Sequence, residues 1–174
     1  MDTQRLRKIL TSDTVIGSKF GGVFASDRLP RLIDKRKRLF IANTDPADKP
    51  GTHWVAFYFG PNNVCTFFDS YGKPPLLKSF KTFMEKNADC WIYNSQILQH
   101  PTSTVCGYYC IVFAHNMCRG SSLSKFLSVF DVDRRFNDLM VVDFVRHHFG
   151  NFASRKPVQF NQTCCSILKR TYCT

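Results

Sequence analysis

The sequence predicts one globular domain in which strands and helices share a core, and three observations carry that prediction. The chain has 174 residues, 44% of them hydrophobic and 17 of them Phe, which is enough to bury a substantial core without staples. Segments 53–59 and 64–69 are short apolar runs on either side of Gly60-Pro61-Asn62-Asn63, a hairpin pattern. Both are apolar on both faces, so the hairpin belongs at the centre of a sheet covered on each side. Segment 106–118 is almost uninterruptedly apolar and follows a Pro/Thr/Ser loop, as expected of a buried helix entered from a loop.

The remaining elements follow in chain order. Leu6, Ile9 and Leu10 stand at helical spacing among Arg5, Arg7 and Lys8, so residues 2–10 form an amphipathic helix. Gly17, Gly21 and Gly22 break that pattern, leaving loop with an edge strand over 23–25. Segment 38–43 reads as a strand and 44–51 as a loop. Leu77, Phe80, Phe83 and Met84 give a helix over 76–86, and the alternation of Trp91 and Tyr93 gives a strand over 90–98. Helices over 123–130 and 134–149 precede a basic, loop-like tail from Asn151.

Lys and Arg number 24 against 13 Asp and Glu, a net charge of +11, which is more than an enzyme with a neutral substrate needs and implies a polyanionic partner, nucleic acid. The densest run is Arg28, Arg31, Lys35, Arg36, Lys37 and Arg38, which a solvated face or a localisation signal explains as readily as a nucleic-acid footprint. No apolar run approaches the roughly 20 residues of a membrane span, and the first ten positions lack a signal-peptide core, so the expectation is an intracellular protein with no membrane partner. Eight cysteines without a secretory signal, two of them adjacent at Cys164-Cys165, are expected to be reduced thiols.

Cysteine acyl transfer needs a thiolate, a base, a group orienting the base and donors for the oxyanion. Cys106 opens the buried helix, where unpaired N–H groups and the helix dipole favour a thiolate. His53 begins one strand of the hairpin and Asp69 ends the other, at the same end. They share a face if the enclosed loop has an odd count, as in a pairing of His53 with Asp69 and Phe59 with Asn63. Asp69 would then fix the imidazole tautomer and leave the other nitrogen for the thiol. Gln99, seven positions before Cys106, can offer a side-chain amide beside the Cys106 N–H. Taken singly, each has a plainer reading: Cys106 a core residue, His53 a strand-start histidine, Asp69 a turn residue, Gln99 a loop polar residue. Cys110 and Cys118 read as small core residues. A metal site of Cys106, Cys110, His115 and Cys118 fails because one straight helix cannot turn all four toward one ion; no metal is expected.

The ordered set Gly51-Thr52-His53-Trp54, Phe67-Phe68-Asp69-Ser70-Tyr71-Gly72, Gln99 and Cys106-Gly107-Tyr108-Tyr109-Cys110 resembles the adenovirus proteases and, more distantly, the ubiquitin-like-protein-specific cysteine proteases of the same clan. Asp69 stands where the mammalian viral enzymes often carry Glu. The resemblance implies an α+β, papain-like (adenain-like) cysteine protease fold with a central helix packed against a mixed β-sheet. It implies Cys106 as nucleophile, His53 as base, Asp69 as orienter, and Gln99 with the Cys106 N–H as oxyanion donors. It further implies cleavage of viral precursor proteins after Gly-containing sites during virion maturation, in the host nucleus and the virion, by a monomer without small-molecule cofactor. Viral DNA and a disulfide-linked viral peptide would be the activators, with Cys90 the candidate linking thiol; its plainer reading is a strand-end cysteine packed in the interior. Two rivals stand beside this: a deconjugating protease for ubiquitin-like modifiers, and a noncatalytic nucleic-acid-binding domain.

Overall fold

The computed structural model describes residues 1–150; the basic tail expected from Asn151, with Cys164 and Cys165, lies outside the described residues. Among the described residues, β1 (Phe20–Phe24), β2 (Leu39–Asn43), β3 (Trp54–Phe59), β4 (Val64–Phe68) and β5 (Cys90–Tyr93) form one sheet in sequence order. The outer pairs β1/β2 and β4/β5 are parallel, while β3 is antiparallel to both of its neighbours. The sheet is therefore mixed, with the expected hairpin at its centre.

Alternation along the central strands divides the core in two. Leu39, Ile41, Trp54, Ala56, Tyr58 and Phe68 face one side, where they pack with α1 (Thr3–Ser12), α4 (Cys106–Cys118) and α6 (Arg134–Phe149). Phe40, Ala42, Val55, Phe57, Phe59 and Phe67 face the other, against Phe80, Phe83 and Met84 of α3 (Lys78–Asn87). Burial on both faces explains why the hairpin strands read as continuous apolar runs rather than as alternating ones. Helix α4 is the central helix: Ile111, Phe113 and Ala114 are wholly buried, and Phe113 stacks on Phe68 of β4 at 4.7 Å between ring centroids.

Several elements differ from expectation: β1 runs from Phe20 to Phe24 through the two glycines read as loop, and the helix expected over 123–130 ends at Leu127. Residues read as loop around Gly17 form a second helix, α2 (Thr14–Lys19), because the Asp13 carboxylate accepts from the Val15 and Ile16 N–H groups and starts a new turn. The strand expected over 90–98 stops at Tyr93, because the side chain of Asn94 leaves the ladder to bond the Asp69 backbone. In the hairpin, Phe59 pairs with Cys65 and Ala56 with Phe68, so residues 60–64 are enclosed. The odd count holds, but the direct opposition of His53 and Asp69 is corrected: the register is displaced, and His53 lies just ahead of β3. Because the parity is preserved, the two residues still belong to one face of the hairpin.

Candidate active site

Helix α4 opens on Cys106 with Val105 at its N-cap and no side-chain cap, so the first N–H groups of the helix stay open to an anion. Its second residue, Gly107, lets the helix end come close to its neighbours: an added Cβ would sit 3.1 Å from Met1 Sδ and 3.4 Å from Trp54 Cδ1. Trp54 is in turn held by a 2.9 Å hydrogen bond from its Nε1 to the Met1 carbonyl. The start of β3 is thereby fixed beside the start of α4, which brings His53 to Cys106.

The histidine bridges two groups. His53 Nε2 lies 2.9 Å from Asp69 Oδ1, both side chains being largely buried. Cys106 stands beside the same ring, and His53 together with the backbone N–H groups of Trp54 and Gly107 acts on its sulfur. Burial alone pushes the thiol up, but His53 and these donors outweigh it and hold Cys106 below the ordinary cysteine value. Burial likewise works against a charged His53, yet the Asp69 and Cys106 hydrogen bonds prevail and raise its pKa to about 9. The two shifts act in the same sense, both favouring the thiolate–imidazolium form of the pair over the neutral one. Cys110, wholly buried on the same helix, is driven the opposite way, its thiol pushed far up by desolvation, which separates a reactive sulfur from a core one. Cys118 is pushed up to about 11 for the same reason.

Asp69 is itself anchored. Its N–H donates to Asn94 Oδ1 at 3.0 Å, its carbonyl accepts from Asn94 Nδ2 at 2.8 Å, and its Oδ1 also takes the Tyr71 N–H at 2.8 Å. The Tyr71 ring lies 5.1 Å from the His53 ring. Gln99 is brought to the same corner through Ser70: Ser70 Oγ donates to Gln99 Oε1 at 2.7 Å, and Gln99 Nε2 donates to the Ser103 carbonyl and hydroxyl, each at 2.9 Å. Two clefts adjoin this corner, one against His53 and one against its neighbour Trp54. One, of about 350 Å³, is lined by His53, Tyr71, Lys73, Leu76 and Phe80; the other, of about 640 Å³, by Met1, Phe24, Asn43, Gly51 and Trp54.

His53, Asp69 and Cys106 are therefore joined directly and Gln99 through one intermediate residue. Cys90 stands apart, exposed at the start of the edge strand β5 rather than packed in the interior. Sequence reasoning missed Asn94, whose role is tertiary and leaves no local signal, and the Trp54 N–H, although Trp54 was part of the pattern. Among the described residues no group of three or more His, Cys, Asp or Glu is placed to hold a metal ion, and Cys65, Cys90, Cys106, Cys110 and Cys118 are all free thiols.

A central helix on a mixed sheet, with the helix N-terminus facing the start of the middle strand, defines the adenain-like class of protease folds. The crystal structure of the ASFV protease shares it, with a TM-score of 0.59 at 16% identity over 80% of this chain and 65% of that one. No family model matches the chain. In sequence it is similar to the adenovirus proteases, as its motifs indicated. It is 30% identical to the protease of Bovine adenovirus B serotype 3 over 132 residues, 67% of this chain and 64% of that protein. It is 27% identical to the protease of Human adenovirus A serotype 12 over 122 residues, 61% of this chain and 59% of that protein. The chain thus spans about three fifths of the length of the relatives it matches.

Proposed function

We propose that the chain is a cysteine endopeptidase, and the observation that carries this reading is the imidazole of His53 held between the Asp69 carboxylate and the Cys106 sulfur. The Cys106 thiolate attacks the carbonyl carbon of the scissile bond, and the displaced electron pair settles on the carbonyl oxygen. The Cys106 N–H, at a helix start without a side-chain cap, is one donor for that oxyanion. Gln99 Nε2 is the other: one of its protons is held by the Ser103 carbonyl, while the second faces a hydroxyl that can turn away. Collapse expels the amine, which takes its proton from the His53 imidazolium and leaves a thioester. Neutral His53 then draws a proton from water, which attacks the thioester; the C–S bond breaks, the acyl half leaves as the carboxylic acid, and the thiolate and imidazolium are restored.

The substrates in this reading are viral precursor proteins cut after Gly-containing sites as virions mature in the host nucleus. Similarity to the adenovirus proteases supports that assignment. Viral DNA is the proposed activator, supported by the +11 charge. The second activator is a viral peptide linked through Cys90, supported by the exposure of that thiol.

The test is cleavage of a Leu-x-Gly-Gly-x peptide, with DNA present and absent, by the wild-type chain and by Cys106→Ala. Cleavage by the wild type, abolished in Cys106→Ala while DNA affinity stays nearly intact, is the expected result. Cleavage by the alanine variant sinks the assignment of the nucleophile. Cleavage of a ubiquitin-like-modifier fusion in preference to the short peptide would indicate a deconjugase instead. DNA binding without any cleavage would leave a noncatalytic nucleic-acid-binding domain.

A further inference from the structure

We infer that Ser70 is a positioning residue for Gln99, fixing the amide that serves the oxyanion; this rests on the protease reading above. Ser70 grips Gln99 at two points. Its hydroxyl donates to Gln99 Oε1 at 2.7 Å, and its carbonyl accepts the Gln99 N–H at 3.0 Å and the Leu98 N–H at 2.9 Å. Both Ser70 and Gln99 are completely buried, so no water replaces a lost partner from bulk solvent.

The consequence for the amide is directional. A glutamine side chain has three rotatable bonds, and an unanchored one samples several rotamers. With Oε1 tied to Ser70 and Nε2 tied to both the carbonyl and the hydroxyl of Ser103, the amide has one plane and one orientation, and its second N–H is released to an oxyanion when the Ser103 side chain rotates aside. Donation into Oε1 also polarises the amide and makes its N–H a stronger donor. The same short segment serves the other half of the site. Ser70 follows Asp69, whose carboxylate lies 2.9 Å from His53 Nε2 and whose backbone is clamped by Asn94. Two adjacent residues of one turn thus set the base with one side chain and the oxyanion donor with the next.

The experiment is a double-mutant cycle of Ser70→Ala and Gln99→Ala in the full chain, read by peptide hydrolysis and by iodoacetamide alkylation of Cys106. Alkylation builds no oxyanion, so it reports the thiolate alone. Ser70→Ala is expected to lower kcat about tenfold, less than the hundredfold or more of losing an oxyanion donor outright, with KM within about twofold. The alkylation rate and its pH profile stay at wild-type values. In the Gln99→Ala background, Ser70→Ala causes no further loss. A melting curve checks the fold; should the alanine variant not hold it, Ser70→Cys keeps the shape with a weaker donor and is expected to show a smaller loss of kcat of the same kind. An undiminished loss in the Gln99→Ala background, or alkylation slowed in step with hydrolysis, overturns the assignment. A wild-type chain that is alkylated at Cys106 yet cleaves no peptide marks instead the failure of the protease reading, and Ser70 loses its role with it.

Discussion

His53 has the Asp69 carboxylate on Nε2 and the Cys106 thiol as its other polar influence, and these neighbours shift the titrations of both groups. Cys106 is held below its ordinary value and His53 raised to about 9, so in the window between them both groups are charged. In the proposed reaction the thiolate is the nucleophile and the imidazolium the acid for the leaving amine. Raising the pH through about 9 strips the imidazolium proton, so kcat/KM falls on the alkaline side there. Burial works against the charged ring, and the Asp69 hydrogen bond is the largest of the effects that overcome it. Asp69→Asn removes the negative charge, so the imidazolium is less favoured and the alkaline limb moves to lower pH, with kcat reduced about a hundredfold. A pH–rate profile of the two proteins checks this. An alkaline limb that stays in place in Asp69→Asn shows that the carboxylate does not govern the imidazole.

At the scale of elements, the turn after β4 does most of the positioning, and Gly72 is its constraint. Gly72 has φ of +66°, its N–H donates to the Asp69 carbonyl at 2.8 Å, and an added Cβ would lie 2.8 Å from the backbone oxygens of both Ser95 and Gln96. Those oxygens belong to backbone and cannot swing aside as a side-chain end can. Gly72→Ala is therefore expected to cost about 2–3 kcal/mol in stability, combining left-handed strain with displacement of the turn. Because the same turn holds Asp69 and Ser70, kcat falls as well; urea unfolding together with peptide hydrolysis measures both, and a variant as stable as the wild type refutes the argument. The elements around this turn were legible in the sequence to different degrees. The hairpin and α4 were plain because burial on both faces, or all round, writes itself as an unbroken apolar run. The shared face of His53 and Asp69 was legible as parity, but the register was not. Asn63 turns left-handed at φ of 57°, and the Gly60 N–H closes the turn on the Val64 carbonyl at 2.9 Å, which sets Phe59 opposite Cys65 rather than Asn63. Helix α2 is hidden in the sequence because Gly17 lowers helix propensity in its interior, while the Asp13 carboxylate that starts it outweighs that effect. The Asn94 clamp and the hydrogen bond of Ser70 with Gln99 had no local signature, since each joins residues more than twenty positions apart.

At the scale of the whole molecule, the charge is distributed so that the proposed DNA partner has a place to bind away from the catalytic corner. Arg28, Arg31, Lys35 and Arg36 are exposed on the segment between β1 and β2, with Lys37 and Arg38 partly so. Some of this charge is already answered: Arg36 lies 2.9 Å from Asp34 and Arg28 lies 3.6 Å from Asp27. Exposed pairs of this kind are weak and screened by salt, so a phosphate can compete for either cation. If the segment is the footprint, each phosphate it neutralises releases counterions, and log K falls with log salt by about 0.9 per phosphate. Changing Arg28, Arg31, Lys35 and Arg36 together to Gln is expected to flatten that slope by about 0.9 for each phosphate no longer neutralised, and to weaken binding to unrelated DNA sequences alike. Fluorescence anisotropy over a salt series, with Cys106→Ala in parallel, measures the effect. Cys106→Ala should keep the wild-type slope, because its sulfur faces His53 at the start of α4 and no phosphate. A quadruple variant whose slope matches the wild type places the footprint on another face. A wild-type slope near zero removes the polyanion as the reason for a net charge of +11.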